Sequence, residues 1–131
     1  MKNPQTEKYI PVRDALLELH RTLLSFEKER YESVYGAIKS SNAYLGLVMD
    51  HESFKWLRQL SELIVLVDEM IEAKELWPEE KTKTLLIAAQ MLLVPNEMGS
   101  EFHQKYHVAT QTSPEATTKH GQVMIELKKV I

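Results

Sequence analysis

Between Pro11 and Ile131 the apolar residues recur at every third or fourth position, and no run alternates strictly between apolar and polar. That period fits one face of an α-helix and does not fit a half-buried strand, so the chain is expected to be all α. Four glycines and five prolines punctuate the pattern. Pro11 suits an early helical position and Gly36 a stop, which places a first helix from Pro11 to about Tyr35. A short piece from Asn42 to Met49 follows, then a helix with Asp50 as N-cap continuing to about Ala73. Pro78 opens a helix over Glu79 to Val94, which Pro95 ends because proline has no amide hydrogen to donate. Ser100 is the expected N-cap of a short helix from Glu101 to about Thr110. Ser113, Pro114 and Glu115 start a last helix that closes on Lys128 and Lys129, a charge order that suits the helix dipole.

The expected architecture is an up-and-down four-helix bundle with one or two additional short helices. At 131 residues one hydrophobic core is the natural outcome, with residues 11–131 as a single domain and residues 1–10 as a loose arm. With 16 basic and 19 acidic residues intermixed, for a net charge of −3, the chain carries no field that would gather nucleic acid or an anionic membrane. The absence of cysteine excludes disulfides, thiolate nucleophiles and thiolate metal sites, and is compatible with a cytoplasmic location. The first residues, MKNPQTEKYIP, have no apolar core of the kind a secretory signal needs. The longest apolar runs, LIVLV and LLIAAQMLLV, fall well short of the ~20 residues that span a bilayer.

The segment from His51 to Met70 is the most apolar part of the chain. On a helical wheel, Trp56, Leu57, Leu60, Leu63, Ile64, Val67, Met70 and Ile71 share an arc of roughly 140°. Val65 and Leu66 interrupt the opposite, polar side. A short helix could cover them, a second copy of the chain could, or they are two scattered surface aliphatics. From Leu85 to Val94 only Gln90 is strongly polar, so that segment is expected among the most buried. Two enveloped helices in one small domain point to a homodimer or another protein partner.

The stretch FKWLRQLSELIVLVDE, with LLELHRTLL before it and FHQKYHVATQTSPEA after it, resembles a family of small all-helical bacterial proteins of uncharacterised function. The likeness is sharpest over Phe54, Trp56, Leu57, Arg58, Leu60, Ser61, Leu63, Ile64, Asp68 and Glu69. It implies a helical fold and a bacterial origin, and no site residues.

Three groups of polar residues are candidates for chemistry. His20, Glu27 and Arg30 lie between or within two apolar stripes of the first helix, as a satisfied buried cluster or as the floor of a polar pocket. His103 and His107, at i and i+4, share a helix face, and His120 falls on the buried side of the last helix. With His20 or Glu101 they could hold zinc or nickel, which resembles in outline the metal-binding bundles of DinB-like proteins. Finally, Arg13, Asp14 and His20 resemble the Arg-x4–6-His signature of HEPN ribonucleases, although that family carries it on a late helix. No Glu-x-x-His pair, HExxH, Gly-rich phosphate loop or nucleophile elbow occurs. The residues fit best a non-catalytic interaction or oligomerisation module without a cofactor, ahead of a metal- or small-ligand-binding bundle and, further back, a ribonuclease.

Overall fold

The computed structural model describes residues 4–131, which form seven α-helices preceded by a 3-10 turn, Pro4–Tyr9. The helices are α1 (Ile10–Tyr35), α2 (Ser41–Asp50), α3 (Glu52–Lys55), α4 (Arg58–Glu72), α5 (Glu79–Leu92), α6 (Glu101–Thr112) and α7 (Pro114–Val130). The fold is all α, as the apolar period implies.

Local chemistry sets most of the ends. Gly36 takes φ 89°, a left-handed conformation that costs glycine nothing, and its amide donates to Glu32 O to close α1. Ser40 accepts the amide of Ala43, Ser100 that of His103, and Ser113 that of Ala116, each occupying an orphan donor at a helix start. Pro114 then stands at the first position of α7.

One boundary departs from the sequence expectation. Asp50 is the last residue of α2 and caps nothing; His51 is the cap, its Nδ1 accepting the Ser53 amide at 3.1 Å. The helix it starts lasts one turn, tightens through the bond from Leu57 N to Phe54 O, and restarts as α4. Phe54, Trp56 and Leu57 are all buried. In one regular helix Phe54 and Trp56 would face some 200° apart, and both are buried where the helix is interrupted.

α1 is the central strut, with α7 against one side and α4 against the other. Glu18 and Thr22 of α1 meet Lys119 and Glu115 of α7, which fixes these helices as antiparallel. Arg13 near the start of α1 meets Asp68 and Glu72 near the end of α4, and Glu27 further along meets Trp56, so this pair is antiparallel too. α6 folds back on α7, and α5 lies against α4 and α7. All eight residues of the predicted arc, Trp56 to Ile71, are buried, alongside Val12, Leu16, Leu19 and Leu23 from α1.

Two expectations about exposure change. The N-terminal segment was expected to be loose; residues 1–3 lie outside the described part, but Thr6 is 3% exposed and its hydroxyl donates to Ile71 O at 2.9 Å. That carbonyl belongs to the last turn of α4, where helical partners run out, so the turn is docked as a cap. Nor is α5 sheathed. Leu85, Leu86, Ala89 and Leu93 are buried, but Ile87, Met91 and Val94 are 39%, 66% and 51% exposed. Val65 and Leu66 likewise lie open at 55% and 43%, so no short helix among the described residues covers them. No helix among the described residues is long and apolar enough to cross a membrane.

Candidate functional site

The residues offered for metal chemistry do not converge. His103 sits in the first turn of α6, its Nδ1 2.7 Å from Ser100 Oγ and its Nε2 3.1 Å from Met91 O. A carbonyl can only accept, so Nε2 carries the proton and Nδ1 takes the Ser100 hydroxyl. Both nitrogens are thereby used, and the ring joins the start of α6 to an end-turn carbonyl of α5. Gly99 makes room for it, since a Cβ there would lie 2.9 Å from His103 Cβ. His107 points to Glu97, 3.9 Å away. His120 Nδ1 lies 2.6 Å from the Tyr106 hydroxyl. Tyr106 is wholly buried and burial raises its pKa, so its hydroxyl stays protonated and donates a hydrogen bond to His120 Nδ1. Among the described residues no three His, Cys, Asp or Glu side chains are placed to hold one ion.

The His20, Glu27 and Arg30 trio separates as well. Glu27 is 4% exposed and accepts the Trp56 indole N–H at 3.0 Å, with Arg30 Nη1 at 3.6 Å. Arg30 is half exposed rather than buried. The i, i+3 pair was readable from spacing, whereas the indole, 29 residues away in sequence, was not. Trp56 could have been flagged only by noting that a buried indole must find an acceptor and that Glu27 is the one carboxylate sharing the apolar side of its helix.

The Arg13 and His20 pattern fares no better as a ribonuclease signature. Arg13 Nη1 lies 2.9 Å from Asp68 and 3.6 Å from Glu72, and its Nε lies 3.4 Å from Asp14. Burial works against its charge, but Asp68 and Asp14 outweigh this and hold its pKa above the ordinary value. A guanidinium surrounded by three carboxylates is engaged in joining α1 to α4 and is poorly disposed to a phosphate.

His20 does stand in a cleft. The opening, of about 290 Å³, lies between α1, α2 and α4. Leu24, Val48, Phe54 and Leu57 make its apolar wall, and His20, Arg58 and Ser61 its polar side. Burial lowers the His20 pKa, so its imidazole is neutral at pH 7. Only the antiparallel pairing of α1 and α4 sets Arg58 and Ser61 beside His20. A larger groove of about 630 Å³ runs between the N-terminal turn and α5, lined in part by Thr6, Met70, Trp77 and Thr82. Volume alone favours that groove. In its lining Thr6 is engaged on Ile71 O and Lys8 lies over the Tyr9 ring, and it holds no histidine, whereas the smaller cleft holds His20 with its burial-lowered pKa, so the chemistry favours the smaller cleft.

Outside the clefts, the most ordered apolar display is on α5. Ile87 and Met91, at i and i+4, stand on one face of α5, away from the buried Leu85, Leu86 and Ala89, and the exposed Val94 follows just past the end of the helix. Comparison of the chain with protein-family models, with curated proteins and with solved structures gives no match, and the likeness to uncharacterised bacterial proteins therefore carries nothing further.

Proposed function

We propose that the chain is a non-catalytic interaction module that self-associates as a homodimer through the outward face of α5, in the cytoplasm of a bacterium. The observation that carries this reading is the exposed pair Ile87 and Met91 on one face of α5, with Val94 open just past its end. Two apolar side chains one helical turn apart, extended by a third just past the helix end, form the seam that one amphipathic helix offers another. Singly exposed apolar residues are ordinary; a row of them on one helix face marks a contact.

The stripe is self-complementary. An antiparallel pairing about a two-fold axis near residue 89 sets Ile87 of one copy on Met91 of the other, and the reverse, as an isologous contact requires. Arg13, offered by sequence for a ribonuclease, and His103 and His120, offered for a metal site, are held in structural bonds, which supports the non-catalytic part of the reading.

Light scattering across a dilution series tests the proposal. The wild type is expected to weigh as a dimer and to dissociate on dilution. Ile87→Glu with Met91→Glu is expected to be monomeric with unchanged helical circular dichroism, because both side chains face outward. A wild type that stays monomeric into the millimolar range overturns the reading, as does a dimer that the double variant leaves intact.

A further inference from the structure

The His20 cleft combines features that the dimer reading does not use. Its wall is aliphatic and aromatic, with Met49 of α2 completing it beside Val48. Its rim continues apolar along both long helices. Leu17 precedes His20 by three residues and Leu24 by seven, and Val65 follows Ser61 by four and Arg58 by seven, so each shares a helix face with the lining residues. Leu17, Met49 and Val65 are 43%, 60% and 55% exposed. An apolar body can therefore lie in the cleft and extend over its lip.

The polar end is defined by two donors. Arg58 donates from Nη2 to Met49 O at 2.9 Å and forms no ion pair among the described residues. A guanidinium has five N–H groups in a fork that matches a carboxylate, so most of its capacity faces outward. His20, neutral, has one N–H in either tautomer, and no hydrogen bond within the described chain engages its ring. The Ser61 hydroxyl donates to Arg58 O at 2.9 Å and adds no further donor. One unpaired cation with one neutral donor beside it suits a head of a single negative charge rather than a dianion.

Access runs through α2. This helix buries none of its own residues although it is rich in apolar side chains, and it packs chiefly on α3. It is hinged at Gly36 and the extended His51 and is held over the cleft by the Arg58 bond to Met49 O and by the Tyr44 ring against Phe54. Displacing it costs little burial.

We infer that the cleft between α1, α2 and α4 binds a small amphipathic monocarboxylate, its carboxylate on Arg58 and His20 and its hydrocarbon body against Leu24, Val48, Phe54 and Leu57. The modest volume sets the class at short or medium chains, at the small end of ligand pockets.

Amide and methyl NMR titrations with octanoate, and with uncharged octanamide, test this at neutral pH. Octanoate is expected to give saturable shifts at Val48, Met49 and Ser61, and octanamide to bind about tenfold more weakly, the loss of one charge-assisted contact. Arg58→Gln keeps a donor for Met49 O while removing the charge. It is expected to lower octanoate affinity about tenfold and leave octanamide unchanged. Ser61→Leu, which fills the cleft from α4, is expected to abolish binding of both. The inference fails if the wild type shows no saturable shift with octanoate. It also fails if octanoate and octanamide bind alike and Arg58→Gln weakens neither, or if the shifts fall on α5. None of these results depends on whether α5 forms a dimer.

Discussion

Glu27 holds the one carboxylate in the buried set of described residues, and its surroundings decide what each neighbour is worth. The indole N–H of Trp56 is buried with it, so the two groups satisfy one another where water does not reach. Arg30, half exposed, sits at the mouth of the pair and is screened. Three substitutions should therefore rank clearly. Glu27→Ala leaves the indole without an acceptor and is expected to cost about 1–3 kcal/mol in urea unfolding, over and above the lost packing. Glu27→Gln keeps a carbonyl for the indole and should cost less. Arg30→Ala should cost under about 1 kcal/mol. An Arg30→Ala loss as large as that of Glu27→Ala would mean that the ion pair, not the indole bond, holds this position. The spacing of Glu27 and Arg30 announced their pairing because i, i+3 neighbours on a helix must meet. Neither Trp56 nor the place of Arg58 beside His20 could be announced, because each depends on which helices become neighbours.

At the level of elements, punctuation was more legible than direction. Ser100, Ser113, Pro114 and Gly36 set helix ends where they were expected, because caps are local chemistry read by the nearest backbone amides. The interruption at Trp56 and Leu57 was hidden, since an unbroken helical period runs through it and both side chains are buried there. The N-terminal turn was hidden for a related reason. Its composition is polar, and one of the contacts that dock it is a hydroxyl on an end-turn carbonyl of α4. Thr6→Val keeps the shape of the side chain and removes that hydrogen bond, leaving Ile71 O with one partner fewer in a buried place. The variant is expected to lose about 1–3 kcal/mol and to show faster amide exchange in the last turn of α4 and in Pro4–Tyr9 than elsewhere. Uniform acceleration through α1 and α7 would indicate a global effect and remove the capping role.

For the molecule as a whole, two half-buried imidazoles make stability a function of pH. His20 against the cleft and His120 beneath Tyr106 both have pKa values pushed below the ordinary 6.5 by burial, which disfavours the charged ring. The unfolded chain therefore binds protons more readily than the folded one once pH drops to the unfolded value. The contribution of both rings is complete above about 6.5 and is lost progressively as pH falls through the lower folded values. His120 adds a second reason: a proton on its Nδ1 takes away the acceptor of the Tyr106 hydroxyl, which is buried and has no other partner among the described bonds. Urea midpoints are expected to decline from about pH 7.5 to about pH 5, ahead of the range in which ordinary carboxylates titrate. Replacing both rings by groups that do not titrate, His20→Gln with His120→Gln, should lower the midpoint at neutral pH, because packing is lost, yet flatten its dependence on pH. The flattening is the decisive readout. A double variant that is merely less stable, with the wild-type slope preserved, would place the proton uptake elsewhere in the chain and leave the two histidines as packing residues.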